Sequence, residues 1–205
     1  YSNLLQGKRF TGVNQLWSSD IFYFSLQGRH YYGVLIMDVY SRRIIGWAIA
    51  DNMRAENNLK ALNRAFTLRG ISNYGGKLIH HSDRGSQYLS DDYTDSLIAY
   101  GSQISMCGDV LENAHIERAN GTIKNDYLKR WNIQTERQLF ERMEMAVDNY
   151  NNRYHRALKH TPIQFETYVN ELTDKEKPKL EIFTYKQYVE NSFQLQLSFK
   201  PETES

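Results

Sequence analysis

The period of apolar and polar positions changes several times along this chain, and each change marks a predicted element. Residues 16–24 are dense in aromatic and aliphatic side chains, which predicts a strand, and Gln27-Gly28-Arg29-His30 supplies a turn after it. Residues 31–39 give a second strand, with Val34-Leu35-Ile36-Met37 as a continuous buried run. A tight connection through Tyr40-Ser41-Arg42-Arg43 leads to a third strand over 44–50. Three strands joined by short turns form an antiparallel meander. From Arg54 the apolar positions fall at helical spacing (Leu59, Leu62, Ala65, Phe66), and Gly70 ends the helix; Asp51-Asn52 offers its cap. Residues 77–81 are a fourth strand, reached through a helix and therefore parallel to a neighbour.

Ser90-Asp91-Asp92 opens a second helix, stopped by Gly101, and 103–106 is a short fifth strand. After a loop over 107–111, a third helix runs from Ala114 to about Lys129, with Ile116, Ala119, Ile123 and Tyr127 on one face. Gln134-Thr135-Glu136 begins a fourth, and Thr161-Pro162 begins a short one through Tyr168. The polar residues 1–13 read as a lead-in arm, 14–169 as the core, and 170–205 as an extension. Within that extension, 171–179 is a charged linker and 193–199 alternates like a half-buried strand, either added to a sheet edge or touching another protomer.

At 205 residues, with 40% apolar and 24% charged positions, the chain has the composition of an ordinary globular domain. No run of about 18 apolar residues and no signal peptide is visible, so no membrane is expected. Cys107 is the single cysteine, which excludes intrachain disulfides and fits a reducing interior. Net charge is +1, so any nucleic-acid surface has to be local.

Candidate chemistry begins at Asp20, a carboxylate inside an apolar strand. Either it is hydrogen-bonded to Ser18, Ser19 or a neighbouring strand, or it binds a cation. Asp83 follows the fourth strand directly, at the turn Arg84-Gly85-Ser86, where a rigid sheet presents side chains to ligands. Glu117 lies near the start of the third helix, with Asn120, Gly121 and Lys124 on its face. His80 and His81 suggest zinc, but adjacent strand residues point oppositely, so packed histidines are expected. Glu112, Asp91 and Asp92 read as helix-cap residues, and Asp109 as a loop residue. Arg84 is a candidate phosphate contact. Arg153, His155, Arg156 and Lys159 form a basic patch that either contacts DNA or is simply solvated.

Four motifs in order give the pattern a precedent. Asn14-Gln15-Leu16-Trp17-Ser18-Ser19-Asp20-Ile21 comes first, then His81-Ser82-Asp83-Arg84-Gly85-Ser86-Gln87-Tyr88. Glu112-Asn113-Ala114-His115-Ile116-Glu117-Arg118 with Asn120-Gly121-Thr122-Ile123-Lys124 is third, and Tyr150-Asn151-Asn152-Arg153-Tyr154-His155-Arg156-Ala157-Leu158 with Thr161-Pro162 is fourth. Together they resemble the DDE catalytic core of bacterial insertion-sequence transposases of the retroviral-integrase-like group. The chain departs from that pattern in three places. Asp83 and Glu117 are separated by 33 residues, slightly fewer than usual, Glu112 stands where Asp is common, and Phe22 stands where Thr is usual.

The resemblance implies a ribonuclease H-like α/β fold: a mixed five-stranded sheet, three antiparallel strands plus parallel ones, flanked by helices. It implies Asp20, Asp83 and Glu117 as catalytic residues and metal ligands, Asp20 bridging two Mg²⁺ ions, with Mn²⁺ as a substitute. It also implies DNA contacts at Asn120, Lys124, Arg84, Arg153 and Arg156, and strand cleavage and transfer between transposon ends and a target duplex. The protein is then expected to be a homo-oligomer in the bacterial cytoplasm, associated with the nucleoid. A nuclease without strand transfer and a catalytically silent DNA-binding or assembly module are the alternatives.

Overall fold

The computed structural model describes residues 1–107 and 113–182. Segment 193–199, Asp109 and Glu112 therefore lie outside the described residues. In chain order the elements are β1 (Arg9–Phe10), β2 (Leu16–Leu26), β3 (Arg29–Asp38), β4 (Arg43–Ala50), α1 (Ala55–Arg69), β5 (Ile79–Ser82), α2 (Asp91–Ala99), β6 (Gln103–Met106), α3 (Ala114–Thr122), α4 (Glu136–Asn151), α5 (Pro162–Glu171) and β7 (Leu180–Glu181).

The main sheet has the strand order β4-β3-β2-β5-β6. The meander β2-β3-β4 is antiparallel, while β5 joins β2 and β6 joins β5 in parallel. That is the mixed five-stranded sheet expected from the pattern and the resemblance together. Side chains on the run 34–37 alternate between its two faces. Val34 and Ile36 pack with Trp17, Leu62, Phe66 and Leu97 beneath α1 and α2. Leu35 and Met37 pack with Phe22, Ile116, Ile123 and Met143 beneath α3 and α4. A strand covered on both faces reads as continuously apolar, which explains why this run does not alternate.

Phe22 also has a local explanation. Its partner across the β2-β3 ladder is Gly33. A Cβ on Gly33 would stand 2.2 Å from the Phe22 ring, so the ring occupies the space that the glycine leaves.

The third helix reaches residue 128 as expected, but its second half changes type. After α3, Ile123–Leu128 form a π-helical turn, continued by Lys129 N–H donating to Lys124 C=O at 2.9 Å. Such wide turns inside helices are rare and often lie at functional sites. The regular spacing that put Lys124 on the face of Glu117 holds only as far as Thr122.

Caps are realised unevenly. Thr161 and Gln164 form a reciprocal capping box at α5, with Pro162 in its first turn, and Thr135 accepts from Gln138 N–H at α4. The expected caps of α1 and α2 make no side-chain cap bond; Asn52 accepts instead from Arg54 N–H at 3.2 Å and Asn57 Nδ2 at 3.0 Å.

Three further features fasten the sheet to its surroundings. A buried ionic cluster joins α5 to the β3-β4 turn and to α1. Glu166 accepts from Ser41 Oγ at 2.7 Å, Arg43 Nη1 at 2.6 Å and Arg69 Nη2 at 2.6 Å. Asp38 accepts from Arg69 Nη2 at 3.3 Å and from the Asn14 backbone N–H at 2.6 Å. Asn151 at the end of α4 bonds both backbone groups of Ile44, each at 2.8 Å, as a strand partner would. Finally β1 pairs with β7, and Leu5, Phe10 and Ile182 are buried with Leu16, Val39 and Phe165 in a third apolar cluster.

Candidate active site

Asp20 lies in the middle of β2, Asp83 one residue beyond β5, and Glu117 in the first turn of α3. β2 and β5 run parallel in the register Ser18–His81, which brings the two aspartates to the same end of adjacent strands. Glu117 reaches them because α3 begins against β2. Asn113, just before α3, is buried, hydrogen-bonds the Ser18 hydroxyl, and donates to Ser19 C=O at 3.4 Å. Ser19 is used elsewhere, on Leu35 C=O at 3.1 Å and the Tyr88 hydroxyl at 2.9 Å. Neither serine therefore satisfies Asp20.

The Asp20 carboxyl is pushed up to about 6. Burial is the main cause, and the charges of Asp83 and Glu117 add to it; the Ile21 backbone N–H and the Asn120 amide pull the other way. Asp20 thus senses both other acids. Asp83 and Glu117 themselves are exposed. The Gly85 N–H donates to Asp83 Oδ1 at 2.9 Å and holds that side chain in a tight local turn. A Cβ on Gly85 would sit 3.0 Å from the same oxygen, so a glycine suits the turn.

Asn120 was expected to meet DNA. The structure turns it inward instead: it is 6% exposed and its Nδ2 donates to Asp20 Oδ2 at 2.7 Å. Its Oδ1 is buried with no hydrogen-bond partner. One helical turn from Glu117, the side chain faces the sheet rather than solvent, because α3 buries Ile116, Ala119 and Asn120 together. Lys124 is half-buried on the π-helical turn, whereas Arg84, Arg153 and Arg156 are exposed. Arg153 Nη1 is paired with Asp126 Oδ2 at 3.2 Å. At Gly121 a Cβ would meet nothing within 4 Å, so no neighbour in this chain requires the glycine.

The two histidines beside Asp83 are packed, as expected. His80 Nε2 meets the Tyr93 hydroxyl at 3.0 Å, and burial lowers its pKa to about 3. His81 bonds Ser105 Oγ at 2.9 Å and Cys107 Sγ at 3.1 Å, and burial lowers its pKa to about 4. Sequence reasoning missed Asn113 and Tyr88 as supports of β2. Their only signal was membership of the motifs around Glu117 and Asp83.

Among the described residues, no three His, Cys, Asp or Glu side chains are gathered into a ready ligand set. What the site offers is a donor chemistry: carboxylate oxygens on two strands and a helix, with the partnerless amide oxygen of Asn120 beside them. All-oxygen donors suit hard divalent cations such as Mg²⁺ and Mn²⁺, not soft ones. The residues therefore fit such an ion, provided the two exposed acids draw in toward Asp20.

Comparison with known proteins gives relatives and a fold. The family model described as "Integrase core domain" matches residues 11–109. A transposase for insertion sequence element IS629 of Shigella sonnei is 35% identical over 158 residues, covering 73% of this chain and 50% of that protein. A putative transposase for IS986/IS6110 of Mycobacterium tuberculosis is 36% identical over 121 residues, covering 57% of this chain and 43% of that protein. This chain thus spans about half the length of those relatives. Among solved structures, the catalytic core domain of HTLV-2 integrase, in complex with magnesium and in a trimeric form, superposes with a TM-score of 0.60 at 20% identity, covering 76% of this chain and 97% of that one. A simian T-cell lymphotropic virus intasome chain superposes with a TM-score of 0.64 at 15% identity, covering 97% of this chain and 62% of that one. The structural likenesses establish the ribonuclease H-like fold of the retroviral integrase cores.

Proposed function

We propose, from the premise that this chain carries an integrase core of the insertion-sequence transposase kind, that it cleaves DNA strands and transfers them to a target duplex. Asp20, Asp83 and Glu117 are its catalytic acids and the ligands of a divalent cation, Mg²⁺ with Mn²⁺ as substitute. The observation that carries the reading is geometric: β2, β5 and α3 bring Asp20, Asp83 and Glu117 from distant points of the chain to one edge of the sheet, near enough that the charges of the last two raise the half-buried Asp20 carboxyl. Structural ion networks are built to relieve such repulsion, whereas this one retains it, as a cation site does before loading.

Each side chain then has a distinct task. Asp20, on the rigid centre of β2, is the fixed ligand, and the Asn120 amide orients it through Oδ2. Asp83 has one oxygen engaged by Gly85 N–H, which leaves the other to turn toward the site. Glu117, exposed on α3, closes the set from the helix side. Two divalent ions on such carboxylates would activate the attacking oxygen and stabilise the leaving one. Arg84 and Lys124 steady the phosphates of the bound strand, with Arg153 and Arg156 as outlying contacts. Residues 14–169 form the catalytic unit, with 1–13 as an arm and 170–205 as an extension.

The protein works on transposon ends and target DNA as a homo-oligomer in the bacterial cytoplasm, associated with the nucleoid. The HTLV-2 integrase cores described in dimeric and trimeric forms support the oligomer by analogy. Among the described residues no helix is long and apolar enough to cross a membrane.

A strand-joining assay tests the reading. Duplex ends bearing a free 3′-hydroxyl are incubated with a target duplex and Mg²⁺. The wild-type protein is expected to nick and join, while Asp83→Asn and Glu117→Gln do neither, though their thermal unfolding is cooperative as before. Full activity in either variant refutes the assignment of the acids. Nicking without joining under all conditions reduces the protein to a nuclease.

A further inference from the structure

Beside α3 lies a second site, of which the reading above uses only Arg153 and Arg156, as outlying contacts. It is a cavity of about 700 Å³ between the β3-β4 turn, α3 and the segment after α4. Four arginines line it, Arg42, Arg118, Arg153 and Arg156, together with His115 and His155, and no carboxylate does. Among the described residues only Arg153 of these has an acid within ion-pair distance, Asp126 at the rim. Arg118 and Arg156 are exposed, and of the acids Arg42 has only the more distant charge of Asp38 in its favour.

Arg42 is the centre of this cavity. Its guanidinium Nη1 is buried without a hydrogen-bond partner. Burial lowers its pKa to about 10, and the charge of Arg118 contributes. Its backbone is at φ 61°, a conformation that costs a non-glycine residue about 1 kcal/mol or more and that persists only where the surroundings enforce it. The enforcement is visible. The neighbours on either side, Ser41 and Arg43, are both tied to Glu166, so the turn is clamped from below while Arg42 points the other way. His155 Nε2 is likewise buried without a partner. A buried guanidinium N–H without a partner, in a cavity lined by arginines and no carboxylate, is what an anion would satisfy.

We infer that this cavity binds a backbone phosphate of a DNA strand, apart from the catalytic acids. The choice of DNA as the source of the phosphate rests on the function proposed above. Three features favour a nucleotide strand over a carboxylate from a second copy of the chain. Guanidinium forks match phosphate oxygens in pairs. The volume accommodates a nucleotide with its phosphate rather than one acidic side chain. Tyr154 at the rim is 62% exposed and presents a ring on which a base can stack. Arg118 and Glu117 are consecutive on α3, so a strand crossing that helix meets the cavity and the acids in succession.

The test is DNA binding without catalysis, measured by fluorescence anisotropy of a labelled duplex and a labelled single strand in chelator. Arg42→Asn removes the charge while keeping a residue that tolerates the left-handed backbone. It is expected to weaken binding about tenfold and to lower the slope of log K against log salt by about 1, the signature of one lost phosphate contact. Independently of any substitution, phenylglyoxal labelling of Arg42 in the wild-type protein is expected to be suppressed by either oligonucleotide. Unchanged affinity and salt slope in Arg42→Asn overturns the inference, as does labelling of Arg42 that DNA does not alter. A variant that changes only the sedimentation of the protein, with DNA binding intact, assigns the cavity to a second copy and also overturns it. Failure of the wild-type protein to join strands counts against the proposed function alone, because these readouts need no metal and no turnover.

Discussion

A carboxylate at Asp20 is destabilising until something positive arrives. Its pKa is raised from 3.8 to about 6, so near pH 7 the folded state holds an ion that the unfolded chain holds more easily. The sign is that of a raised acid: any stability it lends is present at low pH and is lost as pH rises through about 6. The full shift corresponds to about 3 kcal/mol at about 1.4 kcal/mol per unit, and partial exposure screens it to about 1–2 kcal/mol. Asp20→Asn keeps an acceptor for the Asn120 amide and removes the charge. In chelator at pH 7.5 the variant is expected to unfold at a higher urea concentration than wild type, by about 1–2 kcal/mol. A variant less stable than wild type would mean that Asp20 serves the fold rather than a ligand.

Elements set the pH limits of the fold. β5 carries His80 and His81 into the interior as neutral rings, and on α3 the half-buried His115 is lowered to about 3 by burial and by Arg42 and Arg118. A histidine with a lowered folded pKa is protonated first in the unfolded chain. Stability is therefore full above about pH 6.5 and falls below it, each ring adding up to about 1.4 kcal/mol per pH unit. Asp20 opposes this with one proton of the other sign between 3.8 and about 6. Urea midpoints are expected to drop steeply from pH 6.5 to 5. Replacing the His80–Tyr93 pair together by phenylalanines, which keeps two packed rings, is expected to flatten the slope by about one proton. A wild-type midpoint that is level across that interval would contradict the buried, neutral histidines.

How much of an element could be read in advance depended on its period. The strands of the meander, β5, β6 and the helices on both faces announced themselves through apolar spacing, and the run 34–37 through its lack of alternation. Two-residue strands carry no period, so the pairing of Arg9–Phe10 with Leu180–Glu181 had no sequence signal. The π-helical turn at Ile123–Leu128 kept the apolar face of a helix and so was indistinguishable from one. Its consequence falls on Lys124, whose place beside Glu117 was inferred from α-helical spacing.

At the scale of the molecule, the site is a product of topology. Asp20, Asp83 and Glu117 could be placed in order by motif, but their meeting depends on β5 docking parallel to β2 and on Asn113 anchoring the start of α3. Asn120 shows the limit of reading from spacing: an amide on a helix next to a catalytic acid looks like a DNA contact, and only the packing of α3 turns it onto Asp20. The arginine cavity was less legible still. Arg42 and Arg118 stand far apart in the sequence, and only the clamp at Glu166 aims the β3-β4 turn at α3.

The fold also fixes how the acids stand before a cation arrives, with one half-buried and two exposed. The most direct test of the central claim is an anomalous-difference map from crystals of the protein equilibrated with Mn²⁺. The strongest peaks are expected among the carboxylates of Asp20, Asp83 and Glu117, and are expected to vanish in Asp20→Asn. Manganese bound elsewhere while those three side chains stay apart, or peaks that survive the substitution, would contradict it.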